Sequence, residues 1–169
     1  MSCNSNRGFF EIGVYQPKTS MNIGTLYRSA YQLGASGIFT IGERFIHQPS
    51  DTIKTYRHIP YRKYTTFKEF KDTLPYSTPI IAVETGGKDL RDYKHLQRCI
   101  YLLGSEDKGL PRDVLVQCHC KIAIPSMRSE SYNVAMAGTI VMYDSFNVAM
   151  AGTIVMYDRV YGQKLQVSM

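Results

Sequence analysis

Long apolar runs, a secretory signal and paired metal ligands are all missing from this chain of 169 residues. No apolar stretch reaches the ~18 to 20 residues that are needed to span a bilayer. Residues 1–10 do not show a basic stretch followed by an apolar one, as a signal peptide would. These absences predict a soluble, cytoplasmic protein. Hydrophobic residues make up 44% and charged residues 20% of the chain, which indicates a single folded domain.

The four cysteines do not form the pattern of a zinc site, which usually has two close pairs of Cys or His ligands. Cys118, His119 and Cys120 are adjacent, but no second pair lies at the spacing of a zinc finger. The sequence therefore predicts reduced thiols in or beside a strand, and no bound metal.

Three common catalytic motifs are also absent. No G-x-G-x-x-G follows the first predicted strand, and no G-x-x-x-x-G-K-[ST] occurs, so neither a dinucleotide-binding fingerprint nor a P-loop is present. No G-x-S-x-G nucleophile elbow occurs either. Glu106 and Asp107 are adjacent acids, but acids in a turn are more often solvated than catalytic.

Acidic residues are outnumbered by basic ones, 14 against 20, which leaves a net charge of +6. This charge is compatible with a polyanionic partner such as RNA, and equally with a basic enzyme of another kind. The segment Lys54–Lys71 interleaves six Lys or Arg with five aromatic residues. Its aromatic side chains either stack on splayed bases, or face the core while the charges face water.

Apolar runs alternate with helical patterns along the rest of the chain. Strands are predicted at Phe9–Tyr15, Gly37–Ile41, Pro79–Val83, Cys99–Leu103 and Lys121–Ile124, and helices at Met21–Leu33 and Pro111–Gln117. This alternation predicts an α/β fold with a mostly parallel sheet flanked by helices. Ligands bind at the carboxyl ends of such strands, so the turns after Val83, Leu103 and Ile124 are the candidate site.

A tandem repeat occupies the C-terminal part of the chain. Ser131–Asp144 reads SYNVAMAGTIVMYD, and Ser145–Asp158 repeats it with Phe146 in place of Tyr132. Two nearly identical copies do not make a solenoid, which needs three or more repeats. Both copies have a helical pattern. A recent duplication, an engineered insertion and a fault in the record all remain open as its origin.

Three short segments place Gly, Asn and charged residues at the start of a predicted helix or the ends of predicted strands. They are 22–28 (NIGTLYR), 103–111 (LGSEDKGLP), and Ile124-Pro125 followed by 131–135 (SYNVA). In this order they resemble the motifs N-x-G-x-x-x-R, G-[NS]-E-x-x-G-[LI] and I-P…S-[LMY]-N-[VL] of the SPOUT RNA methyltransferases, in their SpoU/TrmH family. The resemblance covers nearly the whole chain.

This resemblance implies an α/β knot, in which a C-terminal trefoil knot breaks the rule that chains do not thread loops. It implies that 1–169 forms one SPOUT domain without an added RNA-binding domain, and that the protein works as a homodimer. The implied cofactor is S-adenosylmethionine (SAM), which becomes S-adenosylhomocysteine, with no metal. The implied activity is methylation of a ribose 2′-OH in tRNA or rRNA. Methylation of an RNA base, or an inactive SAM- or RNA-binding protein, remains an alternative.

The resemblance also assigns roles to individual residues. Arg28 stays protonated, so we expect it to hold a phosphate and stabilise the developing alkoxide rather than to act as a literal base. Asn22 either only caps the first helix or also positions Arg28 or the substrate, and Glu106 either orients the RNA or locks its loop through backbone N–H groups. Ser131 and Asn133 are expected to close over the methionine part of SAM and the target ribose.

The SAM pocket is expected at the three strand-end turns, where an apolar slot and backbone groups read the adenine. The residues implied as cofactor-binding are Thr85, Gly86, Leu103, Gly104, Ile124, Met127, Ser131 and Val134. Only residues 126–130 separate Pro125 from Ser131, about one fewer than the family tends to have, which leaves the contacts of Met127 and Arg128 open. We expect the first copy of the repeat to line the pocket, because it follows Pro125 at nearly the family's spacing.

Overall fold

The computed structural model describes residues 9–42, 58–128 and 130–146. These residues form one six-stranded sheet in the order β3-β2-β1-β5-β4-β6, in which all five strand pairings are parallel. The strands are β1 (Phe9–Tyr15), β2 (Gly37–Ile41), β3 (Tyr61–Tyr64), β4 (Ile80–Asp89), β5 (Arg98–Leu103) and β6 (Cys120–Ala123). The helices are α1 (Ser20–Gln32), α2 (Phe67–Asp72), α3 (Arg112–Leu115) and α4 (residues 134–146), with a short 3-10 turn at Leu90–Asp92. The α/β prediction is therefore confirmed.

Apolar side chains pack on both faces of this sheet. On one face, α1 and α4 cover residues such as Ile12 and Tyr101. On the other face, α2 and α3 cover residues such as Phe39 and Leu102. The central strands β1 and β5 are buried along almost their whole length, as expected for a parallel sheet covered by helices.

Two predictions about local structure were incomplete or wrong. The segment Lys54–Lys71 contains β3 and α2, which the sequence pattern did not predict, and Phe67 and Phe70 of α2 are buried in the core. Its residues 54–57 lie outside the described part. The chain does not turn away after Val83, because β4 continues to Asp89. Val83 and Lys88 both pair with Ile122, so the four residues between them bulge out of the ladder.

The structure accounts for this bulge by the two glycines within it. Gly86 has φ +69°, a conformation that side-chain-bearing residues rarely adopt. A Cβ atom at Gly87 would lie 2.6 Å from the backbone carbon of Ile122. Gly87 therefore lets β4 approach β6 closely and resume the sheet.

Helix α1 begins earlier than the sequence pattern suggested. Its N-cap is Thr19, so Asn22 lies in the first turn and does not cap the helix. Helix α4 runs through the junction Asp144-Ser145 without interruption to residue 146, and the rest of the second copy lies outside the described residues. The trefoil knot stays a prediction of the family resemblance. In the three described ranges, none of the helices combines the length and hydropathy of a membrane span.

Candidate functional site

A cavity of about 430 Å³ opens at the carboxyl ends of β5 and β6, beside the bulge of β4. This is the edge of the sheet at which the sequence predicted a site. Its wall consists of the bulge, the loop between β5 and α3, the segment after β6 and the first turns of α4. Ser131, Tyr132 and Val134 of the first repeat copy lie in this wall.

The wall of this cavity combines apolar and charged side chains. The apolar part is formed by Val83, Leu103, Ile124, Val134 and Ala137. The charged part has four carboxylates and two basic groups: Glu84, Glu106, Asp107, Glu130, Lys108 and Arg128. Such a wall offers an apolar surface that can hold a flat ring, beside carboxylates that attract a cation.

Glu106 connects the loop after β5 to the start of α1. Its carboxylate accepts hydrogen bonds from the backbone N–H of Lys18 at 2.8 Å and of Thr19 at 3.2 Å. It also accepts one from Nδ2 of Asn22 at 2.9 Å. The carboxylate therefore holds the segment before α1 against the cavity wall.

Asn22 extends this network to helix α4. Its Oδ1 accepts a hydrogen bond from Nδ2 of Asn133 at 3.1 Å. Oδ1 of Asn133 in turn accepts from the backbone N–H groups of Ala135, at 2.9 Å, and Met136, at 3.4 Å, which caps α4. Glu106, Asn22 and Asn133, one from each of the three motif segments, thus form a single chain of hydrogen bonds.

The electrostatics of Glu106 follow from these contacts. Partial burial opposes its charged form, but the hydrogen bonds from Asn22 and from the backbone N–H groups of Lys18 and Thr19 outweigh it. Together they lower the pKa of Glu106 below its usual value.

Replacing Glu106 by Gln should therefore remove a pH-dependent part of the stability. Because the pKa of Glu106 is lower in the folded chain, its carboxylate stabilises the fold above the unfolded pKa of about 4.3, and this contribution is lost as the pH falls through the folded value. We expect the wild type to melt higher than Glu106→Gln at pH 7, and the difference to shrink below about pH 4.3. Thermal melts followed by circular dichroism from pH 3 to 7 measure it.

Glu130→Gln serves as the matched control for this series. Glu130 is exposed in the same cavity wall and makes no hydrogen bond or ion pair among the described residues. Its melting temperature should track that of the wild type across the whole range. A difference between the wild type and Glu106→Gln that stays constant with pH would contradict the assigned role of the carboxylate.

The sequence interpretation missed Glu84, which fixes the loop between β5 and α3. Its Oε2 accepts a hydrogen bond from the backbone N–H of Leu110 at 2.8 Å, and its Oε1 accepts from that of Thr85 at 3.0 Å. A Cβ atom at Gly109 would lie 2.4 Å from the same Oε2, and Gly109 has φ +64°. The one available signal was its position, directly after the apolar run that ends at Val83.

Gly104 allows the same loop to fold back on itself. A Cβ atom there would lie 2.3 Å from the backbone carbon of Gly109. Thr85 and Gly104 both line the cavity, whereas Gly86 lies in the bulge beside it. Met127 is fully exposed and is not part of the cavity wall. The structure thus brings most of the predicted cofactor residues together and leaves Gly86 and Met127 outside the wall.

Arg28 lies apart from this cavity, on the exposed side of α1. The buried side of the helix carries Ile23, Leu26, Tyr27 and Ala30. The Arg28 side chain makes no hydrogen bond or ion pair within the part of the chain that the structure describes. Its side chain is exposed.

A buried histidine holds the far end of α4. The side chain of His95 is 3% exposed, its Nδ1 lies 2.5 Å from the hydroxyl of Tyr101, and its Nε2 lies 2.8 Å from Oδ2 of Asp144. Burial raises the pKa of Tyr101, so its hydroxyl stays protonated at neutral pH. Helix α4 is thus fixed by polar contacts near both ends, at Asn133 and at Asp144.

The thiols that the structure describes lie in or beside strands, as the sequence interpretation expected, whereas Cys3 lies outside the described residues. Cys99, Cys118 and Cys120 are free, and Cys120 is the first residue of β6. Burial raises the pKa of Cys118 to about 11, which keeps it protonated at neutral pH. Among the residues that the structure describes, no three His, Cys, Asp or Glu side chains lie close enough together to hold a metal ion.

Two curated proteins are similar in sequence. A 23S rRNA (uridine(2479)-2'-O)-methyltransferase of Streptomyces viridochromogenes is 28% identical over 141 residues, which are 76% of this chain and 49% of that protein. An uncharacterized tRNA/rRNA methyltransferase of Archaeoglobus fulgidus is 27% identical over 128 residues, 72% of this chain and 57% of that protein. This chain thus spans about half the length of the curated relatives that it matches.

Solved structures share the fold. The SpoU methyltransferase AviRb of Streptomyces viridochromogenes superposes with a TM-score of 0.77 at 22% identity, over 85% of this chain and 61% of that one. A second structure of AviRb, in complex with the cofactor AdoMet, gives 0.77 at 24% identity, over 85% and 59%. A structure that addresses the 2-OH methylation of C/U34 on tRNA gives 0.78 at 24% identity, over 86% and 99%.

The family model covers all three motif segments and the whole described sheet except its first residue. It matches residues 10–143, which include the Glu106–Asn22–Asn133 network and the cavity wall. The chain belongs to the SpoU rRNA methylase family.

Proposed function

We propose that this protein transfers a methyl group from SAM to a ribose 2′-OH of tRNA or rRNA. The observation that carries the proposal is the hydrogen-bonded chain Glu106–Asn22–Asn133, which joins the three motif segments beside a cavity of about 430 Å³. The names of the relatives support the reaction, since one is a 23S rRNA 2'-O-methyltransferase and another structure concerns 2-OH methylation of tRNA.

The residues of this cavity fit SAM. Its volume lies within the range of roughly 300–1,000 Å³ that is typical of small-molecule sites. We assign the adenine to the apolar slot at Leu103, Ile124 and Val134, with Thr85 and Gly104 supplying backbone groups. The carboxylates of Glu84 and Glu130 lie in the same wall and favour a cationic ligand. When bound, SAM supplies an electrophilic methyl group on a positively charged sulfur.

Arg28 is assigned to the RNA. A guanidinium stays protonated and offers five N–H donors, so it binds a phosphate and stabilises negative charge that develops on the ribose oxygen. Ser131 and Asn133 hold the ribose beside the cofactor. Glu106 and Asn22 keep α1 and the first turn of α4 at a fixed distance from the cofactor.

We further propose that the working unit is a cytoplasmic homodimer formed through α1 and α4. Met21 of α1 is 73% exposed, and Met136 and Tyr143 of α4 are each 56% exposed. These apolar side chains favour burial against a second copy. A dimer also supplies a cavity for Arg28, which lies outside the cavity of its own chain.

Sedimentation at micromolar concentration should therefore give twice the mass of the chain.

Methyl transfer to RNA tests the proposed reaction. The protein is incubated with labelled SAM and bulk tRNA or rRNA, and the product is digested to nucleosides. We expect label in 2′-O-methylated nucleosides. Label in a base would establish the alternative, and a protein that binds SAM by calorimetry but transfers no label to either RNA would contradict the proposed activity. Comparing the RNA of cells with and without the gene then locates the nucleotide.

A further inference from the structure

We propose that the chain has a second binding site, which takes a guanine base, at the opposite edge of the sheet from the SAM cavity. A cavity of about 280 Å³ lies there, beside the first residues of β1 and β5. Its wall is formed by Phe9, Glu11, Arg62, Tyr64, Arg98, Ile100 and the loop between α2 and β4. The volume lies below the roughly 300–1,000 Å³ of drug-sized ligands, which suits a single base. This site goes beyond the proposed function.

A buried carboxylate lies in the wall of this cavity. Glu11 of β1 is only 7% exposed and pairs with Arg62 of β3, with 2.6 Å between its Oε1 and Nη1. Strand β2 lies between these two strands, and Gly37 is the residue opposite Glu11. A Cβ atom at Gly37 would lie 3.1 Å from Oε1 and 3.4 Å from Nη1. Because Gly37 has no side chain, the ion pair between Glu11 and Arg62 can extend across β2.

Two further polar groups of the wall make no hydrogen bond or ion pair among the described residues. Oγ1 of Thr78 is buried and makes no hydrogen bond. The guanidinium of Arg98 lies 5.8 Å from the ring centroid of Phe9 and makes no ion pair within the described ranges. Because a buried hydroxyl without a hydrogen bond is costly, a ligand that supplies a partner for Thr78 would be favoured.

The chemistry of these groups selects guanine. A carboxylate only accepts hydrogen bonds, whereas a guanidinium only donates them. Guanine displays the donors N1–H and N2–H₂ side by side, next to the acceptors O6 and N7. Adenine presents an acceptor at N1, which the carboxylate of Glu11 would repel. The ring of Phe9, which is 48% exposed, and that of Tyr64 offer surfaces for stacking.

Calorimetric titration with GMP and AMP tests this site on the whole protein. We expect GMP to bind at least about tenfold more tightly than AMP. Glu11→Gln should remove that preference. Arg98→Gln should weaken GMP binding by about tenfold, whereas Arg112→Gln, an exposed arginine of α3, should leave it unchanged. Ser131→Ala, in the SAM cavity, should also leave GMP binding unchanged.

Thr78→Val keeps the test valid if Glu11→Gln fails to fold. Its hydroxyl makes no hydrogen bond to the described residues, so the isosteric valine should not lower the melting temperature, yet it should weaken GMP binding by several-fold. Equal affinities for GMP and AMP would overturn the proposal. It would also be overturned if Arg98→Gln and Thr78→Val both bound GMP as well as Arg112→Gln does. These titrations measure binding alone, so a failure of the methyl-transfer assay leaves them interpretable.

The guanine can come from a free nucleotide or from an RNA strand. Two uridine decamers, one of which carries a single central guanine, distinguish these sources by competition with GMP. Displacement of GMP by the guanine-containing decamer alone assigns the site to RNA. GMP binding that neither decamer reduces assigns it to the free nucleotide.

Discussion

Replacing Arg28 by Ala should lower methyl transfer to RNA by at least about 100-fold and change SAM affinity by no more than a few-fold. Removing one group that stabilises a developing charge typically costs that much in rate. Arg28 lies outside the cavity wall and on the exposed side of α1, so neither SAM contacts nor core packing should change. Alanine also favours the helix. Single-turnover methylation and calorimetry with SAM measure the two effects.

Two further variants separate the role of Arg28 from a loss of positive charge. Arg28→Lys keeps the charge but loses the planar fork that binds a phosphate with two hydrogen bonds, so its activity should be intermediate. Arg112→Ala removes an exposed arginine from α3 and should leave the rate unchanged. A large loss of SAM binding in a folded Arg28→Ala protein would assign this side chain to the cofactor instead.

The sheet was largely predictable from the sequence because its central strands are buried on both faces. Runs such as 99–103 are continuously apolar, and the observed strand Arg98–Leu103 differs from that run by one residue. The edge strand Tyr61–Tyr64 was not predictable in this way. It has only four residues, and two of them, Arg62 and Lys63, are exposed. A short polar run of this kind lacks both the length and the apolar content of a strand signal.

The motif segments were visible in the sequence, but the contacts among them were not. Glu106 and Asn22 are 84 residues apart, and Asn133 and Asn22 are 111 apart, so no local spacing relates them. Asn22 looked like a helix cap because polar residues before an apolar helical pattern usually are. The helix begins at Ser20, so Asn22 lies within its first turn. Its side chain therefore links Glu106 to Asn133 instead of capping the helix. Only the tertiary fold could decide between these roles.

The tandem repeat offers a matched pair of variants for testing which copy serves the site. Asn133→Ala removes both the hydrogen bond to Asn22 and the cap of α4, which is worth about 1 kcal/mol. Because the first turns of α4 also line the SAM cavity, we expect methyl transfer to fall by about 100-fold or more, as reacting groups lose their alignment. Asn147→Ala makes the same change in the second copy and should leave activity within about twofold.

Asn147→Ala alone is a better control than a double variant that also changes Ser145. The Ser145 side chain lies close enough to the hydroxyl of Tyr101 to oppose the rise in the pKa of Tyr101, so its loss would disturb the contacts that hold α4 for reasons unrelated to the site. Methylation rates and melting temperatures of the two single variants decide the question. If Asn147→Ala lost activity while Asn133→Ala kept it, the second copy would be the working one, because the fourteen residues of Ser131–Asp144 would then form only a longer connection from β6 to the helix.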